Sequence, residues 1–455
     1  MTLRPTLEHP LAEVWARPGG PWDQPPLDEV LGPHEGVADL AGGLHSLGVG
    51  RGDVVAWQRP NGPEVVALYR ACWRLGAVAA PIHDRATDAD VARLLPRLDP
   101  AAYFAPGDEL PSGPPAAATG RATDVACVLW TAGSSGEPKG VLHTQRALAY
   151  KARSMVEVHG LGPEDVVLMP APLAHVSGLL NGVLVPQAAG MRAVFMARWD
   201  PEAALALIES AGVTFMVGPP TFFIGLMAAE GFAPERVASL RLISSGGAGV
   251  TPAFVDEATD RLGAVVKRAY GSTEAPTVAT TWAGDPPARG RDTDGRPTGA
   301  VELRLGDDDE LLVRGPELFV GYDDPAATEA AVVDGWFRTG DRAVIEDGWL
   351  TITGRLKDVI IRGGENVSIA AVEAVLEAHP AVRHAVVVGE PDDRLGERVV
   401  AVVEADDTFD LDECRRWFET EGATRFTWPE RVVRVDTIPV LPAGKPDREA
   451  VRTLL

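Results

Sequence analysis

The stretch "LWTAGSSGEPKG", residues 129–140, contains three glycines, three hydroxyl residues and a single lysine held behind a proline. Its first two residues end the apolar run "VACVLW" (125–130), which reads as a strand because it is short and rich in apolar residues. A stretch this rich in glycine cannot pack a core. Its small residues let the backbone curl so that several N–H groups point into one concavity, an anion nest. The hydroxyls of Thr131, Ser134 and Ser135 add donors, and Lys139 adds a full charge. Read alone, the stretch is equally an ordinary glycine-rich turn. It is not a Walker A loop, which needs GxxxxGK followed by Ser or Thr. Lys139 follows Pro138, and Gly444-Lys445 runs into Pro446.

Working outward, short apolar runs alternate with helical patterns over about residues 125–270. "TQRALAYKARSMVEVHG" reads as a helix, and "VVLMPAP", "RAVFMA", "VTFMVGP" and "LRLISS" read as strands. "DPEAALALIESAG" opens on Asp200 as N-cap with Pro201 behind it and closes at a glycine. Thr251, Pro252 and Gly263 repeat that design. An earlier strand–helix pair lies at "DVVAWQ" and "PEVVALYRACWRLGAV". Such alternation implies parallel sheets covered by helices, an α/β fold. The Pro/Gly/Ala-rich segment 105–120 reads as a surface loop. After Glu274 the texture becomes β-rich, with a hairpin turning at Asp307–Asp309 whose aspartates read as a solvated turn. From Arg355 a small α+β unit of about a hundred residues follows. The expected division is a large domain over 1–354 and a small mobile one over 355–455, with the charged "GRLKD" at the seam.

Composition bounds the function. A net charge of −23 argues against nucleic acid or an anionic membrane as partner, so any phosphate site must be local. Cys72, Cys127 and Cys414 are scattered without CxxC spacing and read as buried thiols in a reducing compartment. With no signal peptide and no run of spanning length, the expected location is cytoplasmic. Of 42 basic residues only Lys139, Lys151, Lys267, Lys357 and Lys445 are lysine. Three of them, Lys139, Lys357 and Lys445, fall inside glycine-marked motifs, where a compact ammonium suits better than a guanidinium.

The stretch at 129–140 is followed, in order, by "YGSTE" (270–274), "GWFRTGD" (335–341), "GRLKD" (354–358), "RGGEN" (362–366) and "LPAGKPDR" (441–448). Across residues 45–450 this series resembles the superfamily of adenylate-forming enzymes: acyl-CoA synthetases, peptide-synthetase adenylation domains and firefly luciferase. The resemblance implies two half-reactions. A carboxylate attacks the α-phosphate of ATP to give an acyl-adenylate, and a thiol then displaces AMP. It places Thr131, Gly133, Ser134, Ser135, Gly136 and Lys139 around the β- and γ-phosphates, with Ala132 and Ser135 as mild departures from the usual pattern. It sets Tyr270, Gly271 and Ser272 beside the nucleotide, Thr273 on the α-phosphate and Glu274 on Mg²⁺, a hard cation that prefers oxygen ligands. Gly247 and Ala248 would lie beneath the adenine. Asp341 would take the ribose hydroxyls with Arg355 beside it. Lys445 would reach both the carboxylate and the α-phosphate, offsetting charge where two anions meet. Lys357 would be the hinge, and Gly363 and Gly364 would line the channel for the pantetheine arm of CoA.

"PLAHVSG" (172–178) corresponds to the border of the acyl pocket. His175 reads either as a packed residue at a helix start or as a gate that moves between half-reactions. Its neighbours Leu173, Ala174, Val176 and Ser177 offer no carboxylate for a substrate ammonium, which favours an apolar acid over an amino acid. Val217, Phe222 and Phe223 add either pocket wall or plain helix core. The leading expectation is an acyl-CoA synthetase for a medium-chain, cyclic or aromatic acid, using ATP, Mg²⁺ and CoA, with a homodimer open. The alternatives are an enzyme that loads a carrier-protein thiol and a non-catalytic nucleotide-binding homologue.

Overall fold

The computed structural model describes residues 12–131, 138–247, 249–356, 359–362, 365–392, 394–441 and 445–455. The apolar run before the glycine-rich stretch is the strand Val125–Thr131, buried through Leu129. It lies in a six-stranded sheet ordered Gly321–Tyr322, Lys139–Thr144, Val125–Thr131, Val78–Ile82, Val54–Gln58, Ala102–Phe104. The expected parallel pairing holds for the last four of these. Lys139–Thr144 instead runs antiparallel to Val125–Thr131, with Thr131 opposite Lys139. Lys139 therefore lies in a strand, and the apolar pair Val141-Leu142 behind it is buried in the sheet.

The second sheet has seven strands, ordered Arg296–Pro297, Ala279–Thr280, Val265–Tyr270, Leu242–Gly246, Phe215–Gly218, Val166–Met169, Arg192–Phe195. Its five central and distal strands are parallel, and the two short ones at the other edge are antiparallel. Helices Pro201–Ala211 and Pro252–Leu262 start as the sequence implies: Asp200 accepts from Ala203 N at 2.8 Å, and Thr251 from Phe254 N at 3.3 Å. They cover one face of this sheet through Leu205, Ile208, Phe254 and Val255. Helices Pro63–Leu75 and Gln145–His159 fill the space between the two sheets, where Trp57, Tyr69, Trp73 and Met155 are fully buried. Segment 105–120 is irregular, as expected, and is pinned to helix Val37–Ser46 by Gly113 N on Asp39 O and Ala116 N on Ala38 O. "TFFIGLM" lies in helix Pro220–Ala228, with Phe222 and Phe223 buried.

The third sheet is antiparallel and contains the hairpin Glu302–Leu305/Glu310–Arg314, turning through Asp307–Asp309 as expected. Trp336–Glu346 pairs with Trp349–Arg355 in the same sheet. The fourth holds Val359–Arg362, Glu365–Ser368, Val382–Asp392, Gly396–Ala405 and Arg431–Arg434, with helices Ile369–Glu377 and Leu411–Thr420. It has its own apolar core around Val387, Ala401, Val403, Phe409 and Phe418. All three cysteines are buried free thiols. No helix among the described residues is long and apolar enough to cross a membrane.

Candidate active site

The parallel strands Leu242–Gly246 and Val265–Tyr270 end side by side, so the turn at Gly247 and the segment Tyr270–Glu274 emerge at the same sheet edge. A Cβ on Gly271 would stand 2.3 Å from Thr277 N, so only glycine lets the chain fold back there. Ser272 closes this turn, its N donating to Ala275 O at 3.0 Å and its hydroxyl accepting from Ala275 N at 3.2 Å. Thr277 behind it has φ 41°, and Lys151 holds it by donating to its carbonyl at 2.6 Å. Lys151 also reaches Thr298 and Glu317, and the pair is fully buried. Strand Lys139–Thr144 contributes His143, whose Nε2 donates to Thr273 O at 2.8 Å. Burial of that ring lowers its pKa to about 4, so it serves as a neutral support.

Asp341 sits inside strand Trp336–Glu346 at a bulge, where the register against Glu310–Arg314 shifts and Gly340 has φ 72°. Its carboxylate accepts from Tyr270 O–H at 2.6 Å and from Arg355 Nε at 3.1 Å, one on each oxygen. Glu310 holds the bulge by accepting from Gly340 N at 3.1 Å and pairing with Arg338.

Lys445 comes from the far end of the chain and reaches this same place. Its Cε lies 3.4 Å from where a Cβ on Gly247 would be. The loop that bears it is closed by Leu441 N on Lys445 O at 2.7 Å and by bridging of Val440 to Pro446. Arg448 then ties that loop to the fourth sheet through Glu373 and Val387 O. Lys445 is exposed along its length, yet its ammonium is crowded. Partial burial and Arg355 push its pKa down, while Asp341 and Glu274 pull it up. The lysine thus lies within electrostatic reach of the residues expected at the ribose and at the metal. Ser368, donating to Thr353 O at 3.3 Å, helps seat the fourth sheet against the third.

His175 precedes the short helical turn Val176–Gly178 and makes no side-chain cap bond. It packs edge-on to His83 at 5.3 Å between ring centroids. Burial, His83 and Lys445 together lower its pKa to about 4. Gln58 and Asn61, at the end of the Val54–Gln58 strand, pin the two loops that carry these rings. Gln58 donates to His83 O and Ala86 O, and Asn61 donates to Ala171 O and accepts from Leu173 N.

The structure therefore brings Gly247, Tyr270, Thr273, Glu274, Asp341, Arg355, His175 and Lys445 together, with Thr131 and Lys139 on the neighbouring strand pair. Gly133, Ser134, Ser135, Gly136, Ala248, Lys357, Gly363 and Gly364 lie outside the described residues. Sequence reasoning missed His83, His143, Lys151 and Tyr322. None stands in a glycine-marked motif, and strand pairing or long-range packing alone brings each to the site.

Comparison with known proteins agrees with this arrangement. The family model for AMP-binding enzymes matches residues 34–121 and 103–323, and that for the AMP-binding enzyme C-terminal domain matches 371–445. The chain is 31% identical to the medium-chain fatty-acid–CoA ligase of Escherichia coli (strain K12), over 89% of this chain and 82% of that protein. It is 31% identical to the indoleacetate–CoA ligase of Aromatoleum aromaticum, over 92% and 91% of the two chains. Among solved structures it resembles ATP-bound MatB from Rhodopseudomonas palustris, with a TM-score of 0.84, 26% identity and coverage of 94% and 92%. It also resembles the amide bond synthetase McbA from Marinactinospora thermotolerans, with a TM-score of 0.79, 30% identity and 94% coverage of both chains. The chain belongs to the AMP-binding enzymes, in the acyl-CoA synthetase branch of the adenylate-forming superfamily, and is an ATP-dependent acid–thiol ligase that works through an acyl-adenylate.

Proposed function

We propose that the acid activated is apolar, of medium-chain, cyclic or aromatic type, and that free CoA takes the acyl group. The observation that carries the adenylation step of this reading is the approach of Lys445 to Gly247, in reach of Asp341 and Glu274. In this reading Asp341 and Arg355 hold the ribose, Tyr270 keeps Asp341 aimed, and Thr273 donates to the α-phosphate. The glycine-rich stretch from Thr131 to Lys139 takes the outer phosphates. Lys445 brings its ammonium to the point where the carboxylate meets the α-phosphate. There it offsets developing charge and orients both anions.

Glu274 fits Mg²⁺, because one hydrogen-bonded carboxylate together with substrate phosphates is the ligand set that this cation favours. Its Oε1 accepts from Tyr322, and among the described residues no hydrogen bond to its Oε2 is seen, which suits an ion there. A bound Mg²⁺ would neutralise phosphate charge. The apolar preference is supported by the absence of carboxylates beside His175 in 172–178 and by relatives named for a fatty acid, indoleacetate and a feruloyl acid. The separate core of the fourth sheet supports a division into 1–354 and 355–455 with a hinge near Lys357. Three unpaired buried thiols support a reducing, cytoplasmic setting.

The test is acid-dependent pyrophosphate release across a panel of carboxylates, with and without CoA. AMP formation that requires CoA and an apolar acid supports the reading. Acyl-adenylate that accumulates and is discharged only by a carrier thiol or an amine, as the likeness to McbA would allow, replaces it.

A further inference from the structure

The segment 317–324 belongs to none of the motifs that mark the site, yet it joins two of them. Gly321–Tyr322 pairs antiparallel with Val141-Leu142, next to Lys139. Phe319 N donates to Glu274 O at 2.9 Å, and Tyr322 O–H donates to Glu274 Oε1 at 2.7 Å. The Lys139 ammonium stands 5.0 Å over the face of the same Tyr322 ring. Asp323 accepts from Gly140 N at 2.8 Å, and its own N–H donates to Gly140 O at 2.8 Å. Arg97 completes the brace by pairing with Asp323 and donating to Pro138 O at 2.8 Å. Tyr322 is itself buried, with its N–H on Thr328 Oγ1 at 2.8 Å and its ring against Phe319 at 4.9 Å.

We propose that Tyr322, seated on this strand pair and braced by Arg97–Asp323, is a positioning residue that sets the spacing between Glu274 and Lys139. The inference rests on the reading of Glu274 as the Mg²⁺ ligand and Lys139 as a phosphate ligand. One rigid side chain then touches both: its hydroxyl fixes one carboxylate oxygen and leaves the other for the ion, and its π-face holds the ammonium. Asp323 and Arg97 act on the other partner, fixing Pro138 and Gly140 on either side of Lys139.

The test is calorimetric titration of the whole enzyme with ATP, without acid, in the presence and absence of Mg²⁺. Tyr322→Phe keeps the ring and loses the hydroxyl. Its ATP affinity is expected to fall about tenfold with Mg²⁺, the scale of a lost hydrogen bond to a charged group, and to be unchanged without it. Tyr322→Leu is expected to weaken binding under both conditions. Asp323→Asn, which removes the charge paired with Arg97 and leaves the Tyr322 ring intact, is expected to weaken binding several-fold regardless of Mg²⁺. Glu274→Gln is expected to abolish the Mg²⁺ enhancement. If it does so while Tyr322→Phe binds like wild type, or loses equally with and without Mg²⁺, the positioning role is overturned alone. If Glu274→Gln keeps the enhancement, the metal reading and the positioning role both fall.

Discussion

Lys445 and Gly247 are almost two hundred residues apart in sequence, yet the lysine Cε lies 3.4 Å from the place a Cβ on Gly247 would occupy. Gly247 has φ +79°, a conformation that side-chain-bearing residues adopt at a cost of about 1 kcal/mol or more. Gly247→Ala therefore meets backbone strain at the position where its new methyl would stand in van der Waals contact with the arriving lysine, so a shift of this turn moves the seat of Lys445. Its adenylation rate is expected to drop roughly tenfold or more, with unfolding stability lowered only by about the strain cost. Single-turnover pyrophosphate release set beside denaturant unfolding checks this. A variant with full adenylation would separate Gly247 from the lysine's path.

His143 governs an acid limb of stability. In the folded chain its pKa is about 4, lowered by burial, whereas an unfolded histidine titrates near ~6.5. The unfolded state therefore takes up the proton first as pH falls. The stability that this group contributes is complete above pH ~6.5 and is lost progressively toward pH 4, to the order of 3 kcal/mol. His143→Gln can still donate to Thr273 O but does not titrate. Urea unfolding of both proteins at several pH values should show a shallower acid decline for the variant. Parallel declines would contradict the assignment.

The Lys151–Glu317 pair is expected to be costly to break and cheap to replace. Both side chains are wholly buried, at 3.2 Å. Lys151→Met leaves the Glu317 carboxylate without its charge partner and should destabilise the fold by about 3–5 kcal/mol. The double change Lys151→Met with Glu317→Leu should recover most of that loss. Because Lys151 also holds Thr277 O, beside the Gly271 turn, the double variant is expected to regain stability before it regains activity. Chemical denaturation and steady-state rates on the same samples decide this.

The hinge proposed near Lys357 would separate the two half-reactions. Proline fixes φ and removes an N–H donor, so Lys357→Pro should hinder a rotation that the adenylation arrangement does not require. Pyrophosphate release should be spared and thioester formation from supplied acyl-adenylate impaired. Equal activity in both half-reactions would place the hinge elsewhere.

Much of this was legible in the sequence, for local reasons. Asp200-Pro201 and Thr251-Pro252 start helices because each cap satisfies its own first turn, and apolar runs such as "VTFMVGP" form strands of the central sheet. Asp341, Glu274 and Lys445 were singled out through their flanking motifs, and the fold brings them near one another. What could not be read depended on pairing between distant segments. The antiparallel return of Lys139–Thr144 could not be inferred from a stretch that looks like a strand-to-helix turn, and with it went the seat of Tyr322 and the support from His143. Lys151 is an instructive case. The scarcity of lysine marked the residue, but only the fold shows that its ammonium is spent on a buried carboxylate and two other oxygens.

The most direct measurement is the rate of each half-reaction in Lys445→Ala, by single-turnover pyrophosphate release and by thioester formation from supplied acyl-adenylate. With the ammonium at Gly247 and near Asp341 and Glu274, adenylation is expected to fall by roughly 10²–10³ while the second step stays near wild type. An equal fall in both steps would show that Lys445 holds the structure together rather than bringing two anions into reaction.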